Sequence, residues 1–192
     1  EFTANNAKFI TYDNKNYRAG LYIKATKTSV ENSEVQFSAN DRSYALVVCA
    51  VFIKGNASFV NCKISGVNNG GEVAAVQREG GKAEFKNCIL TSESKVITSS
   101  YGTRACALYD GGQYATGFAV VDGGEYISNG LSGIYCSCSL TLGKAPKVTC
   151  PGEADILFSN PFANTNYVTL EGKLNPSNKL KVGFRNQDFS RL

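Results

Sequence analysis

Apolar and polar residues alternate in short runs along this chain. In Val35-Gln36-Phe37 and Ala57-Ser58-Phe59 every second side chain is apolar. A two-residue period belongs to a β-strand, whose successive side chains point to opposite faces. No stretch of a dozen residues carries an apolar stripe at helical spacing. The runs are β-branched and aromatic, and Gly, Asn, Asp and Ser bound them, as expected of strands separated by turns. The pattern predicts an all-β chain that reads strand, turn, strand, turn, strand.

The runs also repeat. Gly20-Leu21-Tyr22-Ile23-Lys24 leads to Ser29-Val30-Glu31-Asn32-Ser33. Val51-Phe52-Ile53-Lys54-Gly55-Asn56-Ala57-Ser58-Phe59-Val60-Asn61-Cys62 is the clearest copy, and Gly80-Gly81-Lys82-Ala83-Glu84-Phe85-Lys86-Asn87-Cys88 follows. Weaker copies are Phe118 to Asn129, and Gly133-Ile134-Tyr135-Cys136 with Ser139 to Gly143. Asp110-Gly111-Gly112-Gln113-Tyr114 duplicates Asp122-Gly123-Gly124-Glu125-Tyr126 at a spacing too short for a full repeat, which leaves the register there open. A period in the twenties with several short strands predicts a solenoid, because one coil cannot bury its inner face alone. Equivalent residues then lie one strand spacing apart, about 4.8 Å. Asn61 is expected near Asn87, Cys62 near Cys88 and Phe59 on Phe85, with asparagine amides bonding between coils. An antiparallel β-sandwich is the alternative that the same strands and turns could build.

The boundaries follow from where the repeat holds. Residues 1–153 are read as coils of a β-helix with an insertion near 93–117. Residues 154–192 are read as irregular strands capping or continuing it, within a single domain. The C-terminal runs are Ala154 to Phe158, Tyr167 to Leu170 and Leu180 to Phe184. Insertions in solenoids often form the binding face. The aromatic and charged residues of the insertion, Tyr101, Arg104, Tyr109, Asp110 and Tyr114, are therefore the candidate ligand-binding set. The chain is read as a piece of a longer protein.

Composition narrows the classes. A net charge of +4 over 192 residues, evenly spread, gives no basic stripe for nucleic acid. No run approaches the roughly eighteen apolar residues of a membrane span. Seven cysteines, an odd number, leave at least one without a partner in the chain. With no His and no Cys-x-x-Cys pair, a metal site is not expected. The cysteines read either as small buried apolar residues or as one or two disulfides. Lys24, Lys27, Lys54, Lys63, Lys82 and Lys86 fall at turn or outward positions, where they form a solvated face or a weak attraction for acidic polysaccharide.

The repeats resemble those of bacterial surface β-helix proteins. The likeness rests on Gly-Leu-Tyr-Ile-Lys from Gly20, Gly-Asn-Ala-Ser-Phe-Val-Asn-Cys-Lys-Ile-Ser from Gly55, and Gly-Gly-Lys-Ala-Glu-Phe-Lys-Asn-Cys-Ile-Leu from Gly80. Such repeats occur in pectate-lyase-like, polymorphic-outer-membrane-like and adhesin-like proteins. The resemblance covers most of Ala19 to Leu174. The sequence departs from it at Tyr44-Ala45 and Val73-Ala74, where glycine pairs are lost, and in its larger number of cysteines. It implies a right-handed parallel β-helix at the cell surface (outer-membrane-associated) or in the extracellular space. It also implies adhesion or a role in virulence, by analogy of fold alone.

A polysaccharide hydrolase needs two carboxylates roughly 5–10 Å apart. The best local set is Asp110, Asp122 and Glu125, and Asp-Gly-Gly is also good turn chemistry. No cluster of aspartates offers a calcium site, and no phosphate-binding glycine motif occurs. The reading is a non-catalytic module with no cofactor, whose partner is a host or matrix protein or a polysaccharide. The alternatives are a pectate-lyase-like carbohydrate-active enzyme, intact or degenerate, and a purely structural spacer.

Overall fold

The computed structural model describes residues 1–12, 19–40, 48–95, 105–111, 116–130, 132–144, 146–152, 154–158, 168–171 and 179–184. Every regular element among them is a strand. The first winding holds β1 (Phe2–Asn5), β2 (Lys8–Tyr12) and β3 (Ala19–Ile23). The second holds β4 (Thr28–Glu31), β5 (Glu34–Ala39) and β6 (Val48–Ile53), and the third β7 (Ala57–Val60), β8 (Lys63–Asn68) and β9 (Val73–Arg78). The fourth holds β10 (Lys82–Lys86), β11 (Ile89–Ser94) and β12 (Cys106–Asp110). The fifth holds β13 (Phe118–Asp122), β14 (Glu125–Ser128) and β15 (Ile134–Cys136). Then come β16 (Ser139–Leu142), β17 (Lys147–Thr149), β18 (Ile156–Phe158), β19 (Val168–Leu170) and β20 (Val182–Phe184).

Every third strand joins the same sheet. Sheet A runs β1-β4-β7-β10-β13-β16-β19, sheet B β2-β5-β8-β11-β14-β17, and sheet C β3-β6-β9-β12-β15-β18-β20. All the pairings are parallel, which excludes the antiparallel sandwich and makes the chain a parallel β-solenoid. The C-terminal strands β18, β19 and β20 add further parallel rungs to sheets C and A.

The interior is built of side-chain rows. In sheet A the row is Ala4, Val30, Phe59, Phe85, Val121 and Leu142, each over the last. The rings of Phe59 and Phe85 stack 5.5 Å apart. In sheet B the row is Phe9, Val35, Ile64, Leu90, Tyr126 and Val148. In sheet C it is Leu21, Val51, Val76, Leu108, Ile134 and Ile156. The central residues of these rows are fully buried and those of the end windings (Ala4, Phe9, Leu21, Val148) partly so, and this burial supplies the main stabilisation, about 1.5–3 kcal/mol per large, fully buried side chain.

The turn from sheet A to sheet B requires a left-handed residue. Asn6, Asn32, Asn61 and Asn87 occupy it at φ between 48° and 53°. Asparagine tolerates that conformation better than other residues with a side chain. The amide of Asn61 donates to Asn32 Oδ1 at 3.2 Å and that of Asn32 to Asn5 Oδ1 at 3.1 Å, so part of the expected amide ladder is present. In the next winding Gly123 (φ 73°) takes the position. Asn129, which ends the fourth sequence copy, instead follows β14 and exchanges hydrogen bonds with the backbone of Ser94 at 2.9 and 2.6 Å. The duplicated Asp-Gly-Gly segments also resolve. Asp110 ends a strand of sheet C and Asp122 ends the next strand of sheet A, so they mark consecutive faces rather than consecutive coils.

Candidate ligand-binding face

Sheet C carries two rows of unusual composition, one outside and one inside. On its outer surface Tyr22, Phe52, Gln77, Tyr109, Tyr135 and Leu157 lie in register on successive rungs. Parallel pairing places like positions one strand spacing apart, which is stacking distance for flat rings. Tyr22 and Phe52 stack at 5.2 Å with planes 7° apart, and Tyr109 and Tyr135 at 5.0 Å with planes also 7° apart. Gln77 separates the two stacks. Tyr22 is 55% exposed, Phe52 and Tyr135 are half-buried, and Tyr109 is nearly covered. Beside this row Cys49, Ala74 and Cys106 form a second, smaller apolar cluster with Tyr109, against which Phe52 and Tyr135 pack.

Charge borders the row on one side. Lys54 Nζ sits 5.6 Å from the centre of the Phe52 ring and 3.4 Å from Glu79. The Gln77 amide donates to the same glutamate at 3.0 Å. One rung away Lys24 is exposed. The other lysines singled out from the sequence are interleaved with carboxylates: Lys27 pairs with Glu1 at 2.9 Å, and Lys82 pairs with Glu84. In sheet B an outward row runs Lys8, Glu34, Lys63, with Lys8 and Glu34 bridged at 3.0 Å. The basic residues therefore make no uniform stripe.

The inner row beneath is Ile23, Ile53, Arg78, Asp110, Cys136 and Phe158. Two opposite charges replace apolar residues on adjacent rungs. Both are fully buried, and Arg78 Nε donates to Asp110 Oδ1. Arg78 Nη1 donates to the carbonyls of Gly81 at 2.9 Å and Thr116 at 2.5 Å, tying together two successive turns from sheet C to sheet A. The Cys136 thiol donates to Asp110 Oδ2 at 3.4 Å. Burial pushes the Asp110 carboxyl above its ordinary range, against the opposing pull of the Arg78 charge and hydrogen bonds. Burial likewise raises the Cys136 and Cys138 thiols, with the Asp110 charge adding to the effect in both.

This placement sorts the residues read from the sequence. Tyr109 lies on the outer face in the aromatic row. Asp110, next to it, points inward and is held by Arg78. Tyr101, Arg104 and Tyr114 lie outside the described residues. Within 93–117, Glu93 and Ser94 finish β11 and Cys106–Asp110 form β12, so regular strands reach into the sequence insertion from both sides. Of the other tyrosines, Tyr22 and Tyr135 belong to the outer row, whereas Tyr126 is completely buried in sheet B. Asp122 and Glu125 bracket the Gly123-Gly124 turn, and Glu125 pairs with Lys147 at 3.4 Å. Among the described residues no group of three or more His, Cys, Asp or Glu is placed to hold a metal.

Compared with known proteins, the chain matches no family model, no curated protein and no solved structure.

Proposed function

We propose that this chain is a non-catalytic binding module of the cell surface or extracellular space, and that the outer face of sheet C holds an acidic polysaccharide. The observation that carries the reading is the pair of parallel ring stacks in one outward row. Flat aromatic faces give an apolar platform for the C–H faces of sugar rings while leaving hydroxyls at the edges. Lys24 and Lys54 lie along the border of the exposed stack and supply the attraction for carboxylate or sulfate groups. A row along the stack axis suits an extended chain, because successive windings place equivalent positions at a constant spacing, with rings at four of the six rungs. Asp110, the catalytic candidate nearest this face, is engaged inside the solenoid, so the face itself offers rings, ammonium groups and the single carboxylate of Glu79, itself paired with Lys54, rather than two free carboxylates.

The experiment is a binding screen of the purified chain against uronate-rich and sulfated polysaccharides, neutral glucans and matrix proteins, with a product assay on each bound polysaccharide. Binding to the acidic chains that weakens with salt and yields no shorter products is the expected result. Turnover of the polysaccharide, or equal binding to neutral glucans, would overturn it.

A further inference from the structure

A different pair of residues carries an inference independent of the binding face. Cys62 and Cys88 occupy the same position of successive windings, just after the left-handed asparagines Asn61 and Asn87. Strand pairing through Val60 and Lys86 on one side, and through Lys63 and Ile89 on the other, fixes them on adjacent rungs. Both are buried inside the solenoid. Each thiol follows the same pattern. Cys88 Sγ leans toward the winding of Cys62, reaching the Phe59 carbonyl at 3.3 Å, and Cys62 Sγ reaches the Val30 carbonyl at 3.3 Å. Each thiol is also the largest influence on the acidity of the other. Adjacent rungs hold Cα atoms at about 4.8 Å, inside the roughly 4.4–6.8 Å that a disulfide spans.

We propose that Cys62 and Cys88 form a reversible disulfide that staples two successive windings of the solenoid. The other cysteines are less suited. Ala74 separates Cys49 from Cys106 in the same row, so these two lie about 9.6 Å apart, beyond bridging range. Cys136 and Cys138 lie two residues apart on one winding, where the Cys136 sulfur sits 2.9 Å from the Cys138 carbonyl oxygen. With glutathione disulfide as oxidant the chemistry balances. The Cys62 thiol loses its proton and its sulfur attacks one glutathione sulfur, releasing one glutathione thiolate. Cys88 then loses its proton and attacks the Cys62 sulfur of the mixed disulfide, releasing the second. Two protein thiols are oxidised and one glutathione disulfide is reduced to two glutathiones. The hydrogen bond from Cys88 pulls the Cys62 thiol down to about 7 against the effect of burial, which suits Cys62 as the attacking sulfur.

The test uses the unaltered chain, refolded and then equilibrated in glutathione buffers of graded poise, quenched in acid, alkylated and mapped by mass spectrometry. A small amount of urea in a parallel series opens the buried pair for exchange. The expected result is a linked peptide joining Cys62 to Cys88, lighter by two hydrogen atoms. Both residues should escape alkylation together, and the urea midpoint of the oxidised chain should be at or above that of the reduced chain. Cys62→Ser and Cys88→Ala should each abolish the linked species. Full alkylation of both thiols at the most oxidising poise, a linkage to any other cysteine, or a lower midpoint after linkage would overturn the proposal. None of these outcomes bears on the polysaccharide reading, which is tested by binding alone.

Discussion

Arg78 and Asp110 form the costliest contact in the interior. Each charge has left water completely, and what holds them is the other charge and the carbonyls of Gly81 and Thr116. Removing one partner strands the other, so Asp110→Ala should destabilise the chain by about 3–5 kcal/mol. The rows on either side are apolar, with Ile53 below and Phe158 above Cys136. A paired replacement, Arg78→Met with Asp110→Leu, should therefore recover most of that loss. Urea unfolding of the two single variants and the double variant, read as a cycle, measures the coupling. Equal and additive losses would mean that the charges are solvated and that the burial described above is wrong. The sequence hides this pair because each residue looks like ordinary surface charge. Arg78 stands between Gln77 and Glu79, and Asp110 precedes a glycine as a turn residue would. Only the winding, which brings together residues 32 positions apart, shows that both point inward.

At the scale of the element, the turns and the inner rows were the legible part. In-register parallel stacking asks for the same property at the same position in every winding. Asn32, Asn61 and Asn87, Phe59 and Phe85, and Cys62 and Cys88 therefore recur visibly in the sequence. Where a different residue meets the same demand the signal fails. Asn6 lies too near the start of the repeat to be noticed, and Gly123 satisfies the left-handed turn with no side chain to match. The outer aromatic row was half legible. Tyr22, Tyr109 and Tyr135 stand out as tyrosines, but their common face depends on the inside–outside parity of each strand. Loop-length differences between windings scramble that parity in the linear sequence. The turn makes a direct prediction. Asn61→Gly should be nearly neutral, because glycine adopts φ near 53° freely and the lost amide bond to Asn32 is partly exposed. Asn61→Ala should cost about 1–2 kcal/mol through left-handed strain, and Asn61→Val more, by chemical denaturation. If alanine and glycine behave alike, the turn does not impose the conformation.

The whole molecule is a stack in which most of the buried thiols titrate late. Burial raises the thiols of Cys49, Cys106 and Cys136 and the phenol of Tyr126. In the unfolded chain the thiols ionise near 9.0, while the folded chain keeps those protons, so above that pH the unfolded state binds fewer protons. The contribution of these thiols is then full below about pH 9 and falls as pH rises further, by about 1.4 kcal/mol per unit for each retained proton. Cys62, whose folded thiol sits at about 7, works the other way between about pH 7 and 9, while the raised Cys88 thiol beside it adds to the fall. Urea midpoints of the reduced chain at pH 8 and at about 10.5 measure the fall, and Cys106→Ala should make it shallower. On the outside, the binding reading requires that the rings act at the surface without holding up the stack. Tyr22 is 55% exposed and contributes one face to Phe52, so Tyr22→Ala should leave the unfolding midpoint within about 1 kcal/mol of the parent. If an acidic polysaccharide lies along this row, the same change should weaken its binding roughly tenfold, the value of one lost stacking contact. Lys24→Gln should lower affinity at low salt and have little effect at high salt, since an exposed charge acts through a screened field. Phe118→Ala is the control: Phe118 is also an exposed ring with a lysine 5.5 Å from its centre, but it stands on sheet A. Binding that falls with Tyr22→Ala and Lys24→Gln but not with Phe118→Ala places the polysaccharide on sheet C. Equal losses from all three would mean that any exposed ring beside a lysine serves, and the proposed face would have no special claim.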